Sequence, residues 1–303
     1  MRIVFFGTPD FALPALNAAC ESGEVVAVVT QPDRERDRRK VSFSPVKQAA
    51  AERGIKVLQY EKVSKEGVEE LSALGADIFV TCAFGQILSR RILDLPPLGT
   101  INVHASLLPK YRGSAPIQWA IANGEKQTGV TIMRTVLKVD AGDILMQQAT
   151  EIGDEETAGE LFERLAVMGG ELLKKAIAVI KSGKAVYTPQ NEEEATHCPM
   201  ISKSDGKLDF SLSAKELERR VRAFTPWPSA FTTCGGKVLK ILKARDSDLV
   251  GECGVVNVVG GRAYVGCSQG SLELCAVQPE GGKKMEIKAF LAGHKLDGVK
   301  LGE

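Results

Sequence analysis

The chain has 303 residues, 44% hydrophobic and 25% charged, with a formal net charge of +1, an ordinary profile for a water-soluble globular protein. A single core rarely keeps growing at that length, so two domains are expected. No apolar run approaches the roughly 18 residues a membrane span needs, the opening Met1 to Gly7 is too short for a secretory leader, and near-zero charge argues against strong polyanion affinity of the chain as a whole.

Arg2 to Phe6 is a short apolar run closed by Gly7, and the periodic stretch Phe11 to Cys20 follows. Strand, turn and helix are expected, with Thr8 as N-cap and Pro9 at the first helical position. The turn has one glycine, short of the G-x-G-x-x-G or P-loop patterns, so a dinucleotide site has little support. Val25 to Thr30 predicts a second strand. Residues 33–40 follow, with five of eight positions basic; such a loop is either a solvated surface or a reach toward phosphates. Ser44 to Arg53 and Val68 to Leu74 predict helices, and Asp77 to Cys82 and Gly99 to Val103 predict buried strands. This alternation points to an α/β fold, a Rossmann-like doubly wound, mostly parallel sheet. Ligands of such sheets gather beyond the C-terminal ends of the strands.

Asn102 and His104 lie at one such end, two residues apart and so on one face of their strand. A buried polar pair is costly without partners; a satisfied core pair and a functional pair both remain open on this observation. Pro116 to Ala122 reads as a helix. Gly129 to Val136 and Ile144 to Thr150 pair naturally as a hairpin with Asp140 at its tip, where Asp is also a common turn residue. Residues 157–181 form a long helix with an apolar stripe, and 187–205 have the composition of a linker. Ser213 to Phe224 then reads as a helix opened by a capping box of Ser213 and Glu216. The glycine-punctuated β-runs 237–244, 253–259, 262–267 and 271–277 suggest a C-terminal OB-like β-barrel domain. The expected domains are 1–186 and 206–303, joined by that linker.

Residues 206–303 hold 15 Lys and Arg against 11 Asp and Glu, a net of +4, and the remainder carries −3. A mildly basic tail is compatible with nucleic acid. The seven cysteines have no C-x-x-C spacing, so small buried hydrophobes in a reducing compartment are expected. His104, His197 and His294 are too scattered for a metal motif, and no metal is expected.

The run from Asn102 through Val103, His104, Ala105, Ser106, Leu107 and Leu108 to Pro109, then Arg112 to Gln118, resembles the signature of the 10-formyltetrahydrofolate-dependent formyltransferases. Gly129 to Met133 and Val139 to Asp143 continue it at matching distance. Gly7 to Ala12, Thr30 to Arg34, Ser44 to Lys47 and, above all, Arg222 to Pro228 (R-A-F-T-P-W-P) are similar to the branch acting on methionyl-tRNA. The resemblance implies a catalytic, folate-binding domain over 1–186 and a tRNA-binding domain over 206–303. The activity it implies moves a formyl group from 10-formyltetrahydrofolate to the α-amino group of methionyl initiator tRNA, in the cytoplasm and by a monomer. It puts the catalytic residues at Asn102, His104 and Asp140. The folate site falls at Phe84, Gly85, Gln86, Ile87 and Leu88 together with Ser106, Leu107, Leu108 and Pro109. Contacts to tRNA are expected from Arg36, Arg38, Arg39 and Lys40, and from Lys207 and Arg222, with Arg219, Lys237, Lys240 and Lys243 as further basic positions. The charged loop departs from the family pattern, since it holds no glycine among its basic residues.

Formyl transfer between nitrogens needs an oxyanion donor and a route for the proton of the attacking amine. Asn102 suits the first need and His104 the second, with Asp140 to orient the imidazole. A formyltransferase for a small amine, such as a sugar nucleotide or glycinamide ribonucleotide, would share these three residues without needing a basic tail. A non-catalytic RNA-binding protein would explain the charge asymmetry but leave the polar pair without a purpose.

Overall fold

The computed structural model describes residues 1–36 and 40–303, with 34–36 and 40–42 described by backbone alone. It divides into two compact units. The first comprises Met1–Gly113, Gln127–Glu151 and Phe162–Cys198; the second comprises Ser114–Lys126, Ile152–Leu161 and Pro199–Glu303.

The strands of the first unit are β1 (Arg2–Gly7), β2 (Glu24–Thr30), β3 (Arg34–Arg36), β4 (Lys40–Ser42), β5 (Val57–Gln59), β6 (Ile78–Cys82), β7 (Thr100–His104), β8 (Arg112–Gly113), β9 (Gln127–Arg134), β10 (Ile144–Glu151) and β11 (His197–Cys198). Seven of them form one sheet in the order β10-β9-β7-β6-β1-β2-β5. From β7 to β5 every pairing is parallel, and the β9–β10 hairpin adds an antiparallel edge beside β7. The chain runs outward from β1 through β2 to β5, then returns to the other flank of β1 with β6 and β7. That reversal opens the crevice between β1 and β6 where doubly wound sheets bind ligands.

Burial on both faces explains why β1 and β6 read as continuous apolar runs. Ile3, Val4, Phe5 and Phe6 are wholly buried, and the Phe6 ring meets Phe79 and Phe84 at 5.2 and 5.3 Å between centroids. Phe84 is thereby anchored into the core just past the end of β6. Thr8 does not cap the first helix, Leu13–Ser22, which has no side-chain cap. Its hydroxyl instead donates to the Phe84 carbonyl at 3.3 Å and accepts from the Gln31 N–H at 3.2 Å, tying together the ends of β1, β2 and β6.

The second unit holds β12 (Ala230–Cys234), β13 (Lys237–Ser247), β14 (Val256–Val259), β15 (Arg262–Gly266), β16 (Ser271–Pro279) and β17 (Met285–Glu286). All pair antiparallel, along the path β12-β13-β16-β15-β14 with β17 beside β16. No pairing returns from β14 to β12 among the described residues, so the strands form an antiparallel sheet without a closed ring. Its core gathers Leu208, Leu217, Val221, Ile241, Leu272 and Phe290. The helix Ala214–Ala223 starts at the expected capping box, with reciprocal Ser213 and Glu216 bonds at 2.9 and 3.3 Å.

All seven cysteines are free thiols. Cys82, Cys198 and Cys267 are buried as expected, whereas Cys253 is exposed. Burial pushes the Cys82 thiol well above its ordinary range.

Candidate active site

Asn102 and His104 lie at the C-terminal end of β7, the strand beside β6. The Thr81 hydroxyl donates to Asn102 Oδ1 at 2.7 Å, so the amide nitrogen faces the other way and finds no protein acceptor among the described residues. His104 is buried. Its Nε2 lies 2.9 Å from the Tyr111 carbonyl, which can only accept, so that nitrogen carries a proton. In the neutral ring Nδ1 is then a lone-pair base. It lies 3.7 Å from Asp140 Oδ2, too far for a direct hydrogen bond. The Tyr111 carbonyl thus holds the ring at Nε2, with the Asp140 carboxylate opposite Nδ1.

Asp140 sits in the loop between β9 and β10, as the hairpin reading requires, and its Oδ2 accepts the Gly113 N–H at 2.8 Å. Tyr111 and Asp140 both adopt left-handed backbone, with φ of 60° and 50°. Non-glycine residues in that region carry strain that surrounding structure must hold, a common mark of functional sites. Ala83, just before Phe84, has φ of 47°. Three of the four such residues among the described ones thus surround this centre. Gly113 (φ 124°) is required by close approach, because a Cβ there would lie 2.3 Å from the Cys198 carbonyl oxygen.

The two segments assigned to folate follow the C-terminal ends of the neighbouring parallel strands β6 and β7. Phe84 and Leu88 are buried and Ile87 is exposed. The Gln86 side chain is committed to the Val63 N–H and the Tyr60 carbonyl at 2.9 Å each. The backbone N–H groups of Gly85, Gln86, Ile87 and Leu88 have no protein acceptor among the described residues. A row of free amides beside apolar side chains fits the polar edge and flat face of a pterin. In the second segment Ser106 and Leu108 are buried and Leu107 is half-buried. Thr131 holds them: its hydroxyl donates to the Ser106 carbonyl at 2.7 Å and accepts from the Leu108 N–H at 3.2 Å. Gln147 clamps the Leu108 carbonyl and Thr131 Oγ1 at 2.8 and 2.9 Å, and Pro109 follows in a cis peptide.

Among the described residues no group of three or more His, Cys, Asp or Glu is placed to hold a metal ion, and no helix is long and apolar enough to cross a membrane. A family profile described as "Formyl transferase" matches residues 1–177, and "Formyl transferase, C-terminal domain" matches 200–295. The methionyl-tRNA formyltransferase of Lachnospira eligens is 47% identical over 315 residues, covering 100% of both chains. That of Myxococcus xanthus is 46% identical over 298 residues, covering 97% of this chain and 96% of the other. The chain belongs to the methionyl-tRNA formyltransferase family. Among solved structures, an N-formyltransferase from Helicobacter canadensis in complex with folinic acid and dTDP-3-aminofucose shares the fold of this formyltransferase chain. Its TM-score is 0.70 at 20% identity, with 93% of this chain and 99% of that one covered.

The basic residues assigned to tRNA fare unevenly in this formyltransferase. Arg38 and Arg39 lie outside the described residues. Arg36 and Lys40 face each other as backbone partners in the two-stranded β3–β4 ribbon. Lys207 and Lys237 are exposed, and Lys243 and Arg245 lie along β13 with both ends on Glu155 at 3.2 and 3.4 Å. Arg222 departs from the expectation. Its guanidinium is mostly enclosed, donates to both Glu218 carboxylate oxygens at 2.5 and 3.0 Å, and bonds the Glu156 carbonyl at 3.1 Å. It ties the helix Ala214–Ala223 to the 152–161 segment instead of offering charge to phosphate.

Sequence reasoning missed Arg112, Gln190 and Glu192. Arg112 is wholly buried, and its two partners come from the stretch read as linker. The signal available was the density of polar residues in 187–198 against the buried cost of an arginine, which only the fold brings together.

Proposed function

We propose that this chain transfers the formyl group of 10-formyltetrahydrofolate to the α-amino group of methionyl initiator tRNA, with Asn102, His104 and Asp140 as its catalytic residues. The observation that carries the reading is the grouping of the free amide of Asn102, the Nδ1 of His104 and the Asp140 carboxylate beyond the end of β7. The α-amino nitrogen attacks the formyl carbon to give a tetrahedral intermediate. Asn102 donates to the oxyanion, a type of contact worth roughly 2.7–4 kcal/mol. His104 Nδ1 takes the proton from the attacking nitrogen, and Asp140 stabilises the imidazolium. The attack has already formed the new C–N bond; collapse re-forms the C=O from the oxyanion, breaks the bond to N10 of the folate, and returns the proton from His104 to N10. No enzyme nucleophile is needed, because the substrate amine is the nucleophile.

The 84–88 and 106–109 segments hold the folate in this reading. Arg36, Arg38, Arg39, Lys40 and Lys207, with Lys237, Lys240 and Lys243, supply phosphate contacts, which tRNA binding needs because the polyanion dominates affinity. Residues 1–186 act as the catalytic domain and 206–303 as a tRNA-binding domain with a partly open, OB-like sheet, joined by 187–205. The chain works as a cytoplasmic monomer. Incubation of the full chain with 10-formyltetrahydrofolate and methionyl initiator tRNA should yield formyl-methionine, detected by mass spectrometry after deacylation, and none from uncharged tRNA. Formylation of a sugar nucleotide or glycinamide ribonucleotide in place of the tRNA would overturn the substrate assignment.

A further inference from the structure

We propose that Arg112 and Gln190 are positioning residues for formyl transfer, forming a latch that fixes the turn carrying Asp140 and so sets its carboxylate opposite His104. The role rests on the formyl-transfer reading of the site.

Arg112 is the largest wholly buried side chain among the described residues. A guanidinium cannot shed its charge, so its burial demands full pairing. Nη1 and Nη2 donate to the two Glu192 carboxylate oxygens at 3.1 and 3.0 Å. Nε and Nη2 donate to Gln190 Oε1 at 3.0 and 2.8 Å. Because arginine only donates, Gln190 must turn its oxygen toward Arg112 and its nitrogen away. That nitrogen then donates to the carbonyls of Asp140 at 2.9 Å and Gly142 at 2.7 Å, groups that only accept. The orientation of the amide is thus fixed from both ends.

The two carbonyls bracket the turn in which Asp140 holds its left-handed backbone. A Cβ on Gly142 would lie 1.7 Å from the Arg134 carbonyl oxygen, so the turn is packed tightly against β9. The Asp140 carboxylate is gripped separately by the Gly113 N–H. One dipeptide, Arg112-Gly113, therefore holds Asp140 twice: at its carboxylate directly and at its backbone through Gln190. Lys138, in the same loop, also reaches Glu192, at 2.5 Å. Neutralising a buried arginine would need Glu192 alone. The amide of Gln190 serves no charge balance, and both of its donor bonds to oxygen go to the Asp140 turn, beside a longer 3.9 Å contact to Met133 Sδ.

Gln190→Glu in the full chain separates charge from position. The carboxylate still accepts from Arg112 but cannot donate to either carbonyl. Turnover should fall about 10- to 100-fold, as misplacement of a catalytic group does, while the KM for 10-formyltetrahydrofolate changes by less than about threefold. Gln190→Met, uncharged and of similar shape, should behave alike if the glutamate variant folds poorly. In an Asp140→Asn background, single-turnover rates should show no further loss from Gln190→Glu, because groups acting through one another are non-additive. Hydrogen exchange of amides 135–143 should rise in Gln190→Glu without any substrate present. Wild-type turnover with unchanged exchange would overturn the latch, and so would losses that multiply in the Asp140→Asn background. If the wild-type chain makes no formyl-methionine, the function reading fails and the exchange measurement alone decides the latch.

Discussion

Replacing Thr131 with Val keeps the shape of a wholly buried side chain and deletes only its hydroxyl. That hydroxyl serves three partners: the Ser106 carbonyl, the Leu108 N–H and the Gln147 amide. Gln147 keeps the Leu108 carbonyl after the change. The Ser106 carbonyl and Leu108 N–H, both on buried residues, lose their partners outright. Each unsatisfied buried group costs about 1–3 kcal/mol, so Thr131→Val should lose at least about 2 kcal/mol while Thr131→Ser stays near the parent. Because the loss falls on the segment carrying Ser106 to Pro109, folate affinity should weaken with it. Urea unfolding of the two variants, followed by calorimetric titration with 5-formyltetrahydrofolate, measures both effects. A Thr131→Val protein matching Thr131→Ser in midpoint and folate affinity would refute the claim that this hydroxyl organises the folate segment.

The Arg112 guanidinium and then the Lys138 ammonium hold the Glu192 carboxyl at about 2, below its ordinary 4.5. A carboxylate whose pKa is lowered by folding stabilises above its unfolded value and loses that contribution as pH falls toward its folded value. The melting-temperature gap between the parent and Glu192→Gln should therefore be full near neutral pH and close between pH 4.5 and about 2; a gap unchanged in acid would contradict the pairing. For the tRNA surface, Lys207→Ala and Lys237→Ala should each lower the salt dependence of tRNA affinity by about one counterion. Binding isotherms across a salt series check this, and an unchanged slope would remove those residues from the interface.

Asn102 and His104 were legible because strand alternation places i and i+2 on one face, and a parallel sheet places strand ends at ligands. Asp140 was legible from the hairpin that two β-rich runs enforce. The tautomer of His104 was not, because the Tyr111 carbonyl that sets it is a backbone group aimed by a left-handed φ that no residue type announces. Arg112 was legible as part of the signature run but not as a buried residue, since its partners Gln190 and Glu192 lie 78 and 80 residues away. The stretch 187–198 is polar and proline-containing, but Gln190, Glu192 and Thr196 turn polar atoms onto Arg112, Asp140 and Tyr111. β5, three residues long, was too short for its periodicity to register. Arg222 kept its motif position yet was captured by Glu218 one helical turn earlier, a pairing visible in the sequence at i and i+4 but outweighed there by the net charge of the tail.

The most direct measurement is single-turnover formyl transfer by His104→Ala, with saturating 10-formyltetrahydrofolate and methionyl initiator tRNA. A base acting at Nδ1 should make its removal cost at least about 10²-fold in rate, with folate affinity close to the parent's. A rate near that of the parent would contradict the assignment of proton transfer to His104 and with it the proposed centre.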